Sequence, residues 1–426
     1  MFITMTQSNK NPPPHHCMVV FARYPLGETR VQREAEALVK HGYKVDVICI
    51  RWQGEKASDF YKGVRIYREE YQLHFPLSKT NGLKERFLNY LRFFVSAFIR
   101  VTKLHLRNHY CTIQVHNLPD FLVFCALIPK LMGVPIIIDL HDLMPEFFVG
   151  RFGQTGSLLA KLIRFQEHLA CRFADHVLTV SDHWRQALIG RGVPENKCSV
   201  VMNVADDQIF LPFTDNHHFS KPLSGFRLIY HGSIHYRYGL DLIIEAVNRL
   251  QNVIPGIHLS ILGIGEFLPK LHELVEIHQL QKYVSFESFR PAEELPNIIR
   301  ACHLGVVPYR NDIFTDGLLP TKLMEYAALG MPSVAARTTA IKSYFSDTNV
   351  EFFEPGDVDD LVCCILRLYD NSDRMAELAH GSQNFNQRYN WTTISLEYVA
   401  LVERLCAKRE RGIYEVGGQN PPNTSN

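Results

Sequence analysis

No apolar run in this 426-residue chain approaches the roughly 20 residues that cross a bilayer as a helix. The longest, such as 93–99 (FFVSAFI), stop far short, so a helical membrane span is excluded. Neither sign of charge is in excess. Lys+Arg total 45 against Asp+Glu 44, a net of +1, which is too balanced for a global field that captures nucleic acid. The ten cysteines form no CxxC pair and no zinc-like spacing with histidine; most sit in apolar stretches such as VDVICI and LVFCALI. That usage fits reduced, buried thiols in a cytosolic protein better than a disulfide framework. The three-glycine dinucleotide fingerprint and the GxSxG nucleophile turn are both missing. The opening MFITMTQSNKNPPPHH lacks a basic stretch followed by a long apolar one, so no signal peptide is expected.

What remains is an ordinary globular composition, 46% hydrophobic and 21% charged. The length fits two or three domains at about 150 residues each. Short β-branched runs alternate with amphipathic stretches, the pattern of a parallel sheet with crossover helices. Strands are expected at 18–22, 44–50, 112–116, 135–140, 176–180 and 199–203. Helices are expected at 30–40, 83–109, 120–132, 157–173 and 182–190. A second alternating series starts at 226. The expected organisation is a disordered 1–16, an acceptor-side domain at 17–205 and a linker at 206–225. A second domain follows at 226–390, then a helix at 391–410 crossing back to the first, and a disordered 411–426. The fold class is α/β, two doubly wound Rossmann-like domains facing across a cleft. In such sheets ligands sit beyond the carboxyl ends of the strands.

Three segments bring chemistry to those ends. In FTDGLLPTKLMEYAALGMP (314–332), Pro320 suits the first turn of a helix and Gly330 the residue after its end. Free amides near Leu319, Thr321 and Lys322 make an anion site, to which Lys322 adds a full charge. Glu325 lies about 7.5 Å further along the axis, at roughly 1.5 Å per residue, where a carboxylate reaches both hydroxyls of a ribose. The same letters also suit an ordinary amphipathic helix with an exposed Glu and Lys. In YHGSIHYRYGLDLIIEA (230–246) a strand ends at His231, Gly232 permits close approach, and Arg237 precedes a helix and could fork onto phosphate. A glycine there often makes only a turn. In IIIDLHDLMPE (136–146) a buried strand delivers Asp139, His141 and Asp142, and His141 could hold a sugar hydroxyl or a proton. A His beside an Asp is equally a structural pair. No metal cluster is read from the spacing.

The segment 84–107 (KERFLNYLRFFVSAFIRVTKLHLR) carries Lys84, Arg86, Arg92, Arg100, Lys103 and Arg107 against the single acid Glu85, interleaved with phenylalanines. It reads either as a crossover helix with a solvated basic face or as a dock on an anionic membrane surface.

Taken together, TRVQREAEALVKHGYKVDVI, HDLMPE, VSDHWRQAL, VVMNVADDQIF, YHGSIHYRYGLDLIIEA, ILGIGEFLPKL and LLPTKLMEYAALGMPSVAA resemble the retaining family 4 glycosyltransferases of the GT-B fold over about residues 17–405. The resemblance implies transfer of a sugar from a nucleoside-diphosphate sugar to a saccharide or lipid-linked acceptor, without metal or other cofactor. The cysteine usage and the opening segment set the expectation of a cytoplasmic location, and 84–107, if it docks, that of a peripheral position on the inner face of a membrane. His141, Arg237 and Lys322 take the catalytic positions. Gly232, Ser233, Gly317, Leu318, Leu319, Pro320, Thr321, Glu325, Phe289 and Arg290 take the nucleotide-sugar side. The chain departs from the family where an earlier Glu becomes Gly317, with Asp312 or Asp316 as nearby substitutes, and where two cations become Ser233 and Tyr238. The glycine-rich acceptor loop is reduced to 24–27. The competing readings are a nucleotide-sugar epimerase of the same fold and a non-catalytic nucleotide-sugar-binding subunit.

Overall fold

The computed structural model describes residues 12–26, 28–70, 82–153, 156–213 and 225–416. Gly27 and most of the expected 206–225 linker (214–224) lie outside the described residues, as do 1–11 and 417–426. The first lobe is built on β1 (His15–Val19), β2 (Lys44–Arg51), β3 (Ser58–Tyr61), β4 (Val64–Glu70), β5 (Thr112–His116), β6 (Ile136–Leu140), β7 (His176–Thr179) and β8 (Cys198–Val200). They form one sheet in the order β3-β4-β2-β1-β5-β6-β7-β8, parallel except for β3. The second lobe holds β9 (Arg227–His231), β10 (His258–Leu262), β11 (Val284–Glu287), β12 (Leu304–Val307), β13 (Ser333–Ala336) and β14 (Glu351–Phe353). Its order is β11-β10-β9-β12-β13-β14, all parallel. Both sheets therefore reverse direction of winding beside their first strand, between β1 and β5 and between β9 and β12. Such switch points open a crevice at the strands' carboxyl ends.

Helices cover both faces, which is why the central strands read as unbroken apolar runs and not as alternating ones. All five residues of β6 are buried. A continuous core passes from the Thr29–Lys40 helix through Val201, Met202 and Phe210 into the second lobe. The closing helix, Trp391–Val416, returns to pack on the Thr29–Lys40 helix and β5. Tyr398 on it donates to Gln114 Oε1 at 2.6 Å.

Several expectations need correcting. β1 begins at His15, inside the segment expected to be disordered, and the closing helix runs to Val416, past the expected end at 410. The β3–β4 hairpin is a further addition, formed although VRIYREE is dense in charge. Its Arg68 is nevertheless buried, within 3.5 Å of Glu55 and 3.2 Å of Asp59. The expected helix at 120–132 is a 3-10 segment, Asp120–Ala126, followed by a short α-turn, Leu127–Leu131. Met144–Phe152 and Thr339–Tyr344 are additional helices.

Gly239 holds the entry to the Leu240–Leu250 helix at φ +65°, and a Cβ there would stand 1.8 Å from Pro308 O. Gly239→Ala is expected to destabilise the protein by more than about 1 kcal/mol, read as a lower midpoint in thermal unfolding. An unchanged midpoint would show that the turn relaxes freely.

Candidate functional site

A cavity of about 470 Å³ lies between the lobes, where the carboxyl ends of the two sheets face each other. The second lobe supplies its most organised wall. The Thr321–Leu329 helix opens here, capped by Pro320 and closed by Gly330 at φ +73°. Leu318, Leu319, Pro320, Thr321, Lys322 and Glu325 all line the cavity. Lys322 is nearly fully buried, and its Nζ donates to Tyr309 Oη at 2.8 Å. It lies 4.8, 5.5 and 5.1 Å from the ring centres of Tyr230, Tyr238 and Tyr309. Tyr238 and Tyr309 stack at 4.7 Å. Tyr238 thus serves as one wall of a box around the Lys322 ammonium. Gly232 makes room for that ammonium: a Cβ on it would come within 3.3–3.4 Å of Lys322 Cε and Nζ.

Burial lowers the Lys322 ammonium to about 8, against the pull of Glu325. Burial also pushes Glu325 up to about 7, against Lys322 and Arg33. His231 Nε2 stands 3.3 Å from Glu325 Oε2 without hydrogen-bond alignment. Burial, then Lys322, lowers this imidazole to about 3, so it is neutral. Ser233 lines the cavity and its carbonyl accepts from Tyr230 Oη at 2.6 Å, which fixes the turn after β9. Phe289 and Arg290 lie on the rim, Arg290 tied to Glu287 at 3.0 Å.

The first lobe's wall is organised around Asp139, fully buried in β6. Arg30 donates to both of its oxygens, at 2.8 and 2.9 Å, and to Val201 O and Asn203 Oδ1. Burial alone would raise this carboxyl; Arg30 and then His141 outweigh it and hold the group well below the usual carboxylate range. His141 Nε2 lies 3.1 Å from Asp139 Oδ2 and Nδ1 lies 3.7 Å from Glu28 Oε2. Burial opposes the His141 cation, but Asp139 prevails and raises the imidazole. His116 sits between them, 3.0 Å from Asp139 and 3.1 Å from His141, and burial lowers it to about 4. His116, Asp139 and His141 bring three potential ligand atoms together. Arg30 already occupies both Asp139 oxygens, so the donor set fits a charge network better than a cation site.

Of the residues expected from sequence, His141, Lys322, Gly232, Ser233, Leu318, Leu319, Pro320, Thr321, Glu325, Phe289 and Arg290 line this one cavity. Arg237 and Gly317 do not. The Arg237 guanidinium lies against Phe314 at 4.9 Å and Phe147 at 5.6 Å, outside the cavity's lining. A Cβ on Gly317 would meet Trp184 Nε1 at 2.2 Å, so glycine is the residue the packing admits there. The two candidate substitutes for a carboxylate at 317 are otherwise engaged. Asp312 accepts from the amides of Phe314 and Thr315, and Asp316 from that of Thr339. Sequence reasoning noted Glu28, Thr29 and Arg30 only as the residues after the reduced acceptor loop and missed Arg33, Asn203 and Tyr309; all six line the cavity. The one signal for Arg30 and Arg33 was their place at the start of the first crossover helix; nothing local marked Tyr309.

Residues 27–208 match the family model described as Glycosyltransferase Family 4, and residues 225–371 match that described as Glycosyl transferases group 1. The chain is 28% identical over 172 residues to WcaL of Escherichia coli (strain K12), a protein named provisionally as a colanic acid biosynthesis glycosyltransferase. That match spans 40% of this chain and 41% of the relative, so less than half of its length. Sucrose-phosphate synthase from Thermosynechococcus elongatus superposes with a TM-score of 0.73 at 18% identity, covering 93% of this chain and 100% of that one. HepE of Anabaena in complex with UDP superposes with a TM-score of 0.68 at 17% identity, covering 92% and 100%. With a glycosyltransferase model on each lobe and the two-sheet architecture of these solved structures, the chain belongs to the glycosyltransferases of the GT-B fold.

Proposed function

We propose that the chain transfers a sugar from a nucleoside-diphosphate sugar to a saccharide or lipid-linked acceptor, with retention of anomeric configuration and without a metal ion. The observation that carries this reading is the second-lobe wall: helix amides at 321–322, the boxed Lys322 and the deeper Glu325 open into one cavity. Amides and ammonium meet a diphosphate, and the carboxylate meets a ribose. As the sugar departs, charge develops on the leaving phosphate. Fixed donors stabilise it without reorganising, the arrangement that contributes most where charge appears during reaction. His141 faces this wall from the first lobe, hydrogen-bonded to Asp139, and is suited to a hydroxyl of the transferred sugar. Glu28, Thr29 and Asn203 leave polar groups for an acceptor. The HepE complex with UDP supports a nucleotide of this class, and the naming of WcaL for colanic acid biosynthesis supports a saccharide acceptor. Retention rests on the family 4 resemblance.

Thermal-shift screening against nucleoside diphosphates and their sugars is expected to raise the melting midpoint with at least one nucleotide. Glu325→Ala is expected to weaken that nucleotide about tenfold or more, by loss of charged hydrogen bonds to the ribose. With an acceptor extract, proton NMR should give a product of the donor's anomeric configuration at a rate indifferent to EDTA. Donor turnover without any acceptor would mark an epimerase, and no shift with any nucleotide would overturn the reading.

The two perturbed groups on this wall set the pH dependence. Glu325 accepts from a ribose only when ionised, above about 7. Lys322 is a cation only below about 8. Donor kcat/KM, which follows the free enzyme's ionisations, is expected to rise through the first value and fall through the second. Glu325→Gln should abolish the acid limb. Lys322→Met should lower kcat roughly 100-fold and abolish the alkaline limb. A flat profile in the unaltered protein would remove both groups from the reaction.

Among the described residues no helix is long and apolar enough to cross a membrane. The Gly82–Asn108 helix nevertheless exposes Phe87, Leu88, Leu91, Val95 and Ile99, with Arg92, Lys103 and Arg107 also exposed. The Leu158–Phe173 helix exposes Leu158, Leu162, Phe165 and Leu169 at helical spacing, with Lys161, Arg164 and Arg172. Both helices pack on the Asp120–Ala126 segment, so the two faces belong to one layer of the first lobe. Apolar groups interleaved with cations suit an anionic bilayer surface. Sedimentation with vesicles containing anionic lipid is expected at low salt and to weaken at high salt. Equal recovery with neutral vesicles, or none with either, would exclude this dock.

A further inference from the structure

None of the ten cysteines lines the cavity, yet two of them come together in space across 295 residues of sequence. Cys111 directly precedes β5 and is half-buried; Cys406 lies on the returning Trp391–Val416 helix and is 7% exposed. Each thiol lies near enough to the other to shift its ionisation. Both also stand 3.9 Å from the same Thr112 hydroxyl. Arg409, one turn on from Cys406, donates to Tyr110 O and brings its guanidinium close to Cys111.

We propose that Cys111 and Cys406 are a thiol pair that a small-molecule disulfide oxidises reversibly to an intramolecular disulfide, tying the returning helix to the first strand layer. The chemistry of the pair is asymmetric in the way such a site requires. The Cys406 thiol, then the Thr112 hydroxyl and Arg409 guanidinium, lower the Cys111 thiol against the effect of burial. The same contact and burial raise Cys406, which keeps its proton and donates it. Burial instead pushes up the thiols of Cys17, Cys125 and Cys171, which lie in the core. Cys111 is thus the attacking thiolate and Cys406 the resolving thiol.

The exchange balances in two steps. The Cys111 thiolate attacks one sulfur of the small disulfide, forming a mixed disulfide and releasing one thiolate. Cys406 then attacks the Cys111 sulfur; the protein disulfide forms, the second small thiolate leaves, and the Cys406 proton passes to it. Two protein thiols are oxidised and one external disulfide is reduced to two thiols. The closed loop would span the second half of the first lobe and the whole of the second, and a cross-link over so long a loop restricts the unfolded chain strongly.

The test uses the full chain, reduced, freed of reductant and incubated with oxidised glutathione. Thiol titration should fall by two from the ten cysteines. Peptide mapping without reductant should find the Cys111 and Cys406 peptides linked, two hydrogens lighter than their sum. The oxidised protein should melt several degrees higher, and dithiothreitol should reverse every change. Cys406→Ser should stop the reaction at a glutathione adduct on Cys111, and Cys363→Ser should change nothing. A lasting glutathione adduct on Cys111 in the unaltered protein, or linkage of other cysteine pairs in its place, would overturn the proposal.

Discussion

A carboxylate shut away from water has to be neutralised where it stands, and the first lobe is arranged around one such group. Asp139 is wholly buried at the end of β6, with both oxygens taken by Arg30. Removing one partner of a buried pair leaves an uncompensated charge, at about 3–5 kcal/mol, so the elements that carry them are held in register. Arg30 lies on the first crossover helix and also meets Glu34 at 3.2 Å, whose carboxyl burial raises to about 7. Gln114 of β5 bridges Glu34 to Tyr398 of the returning helix. One charge thus knits together β5, β6, the first helix and the last one, and delivers His141 to the cavity in a fixed orientation.

The second lobe solves the opposite problem, a buried cation. Lys322 keeps its charge through ring faces and one phenol, with Gly232 supplying the space and Glu325 one turn away. Aromatic faces stabilise an ammonium while leaving its hydrogens free for an incoming anion, which a carboxylate partner at close range would not. The two walls therefore divide the work. One is anionic at depth and presents a raised histidine; the other is cationic and presents amides.

The alternation of strands and helices was legible because parallel strands covered on both faces are mostly apolar, as in β2, β6 and β13, where polar residues are few. The helix from Thr321 was legible from its own punctuation, Pro320 and Gly330, and that punctuation carried Lys322 and Glu325 with it. What could not be read were contacts made by distant residues. Nothing near Tyr309 announces that it would stack on Tyr238, and nothing near Trp184 announces that it forbids a side chain at 317. Arg237 was assigned from its place after β9, but two phenylalanines brought in from residues 147 and 314 claim its guanidinium. Local order reports where the backbone turns; which side chains meet is decided by the topology.

Phe314 belongs by sequence to the second lobe, yet it is 3% exposed within the core of the first, edge-on to Phe147 and tilted against Trp184. Parting the lobes along this flank would pull an aromatic ring out of a hydrocarbon pocket and uncover a guanidinium as well. The two halves are accordingly riveted at this corner as well as through the continuous core, while the lip that carries Phe289 already stands in water.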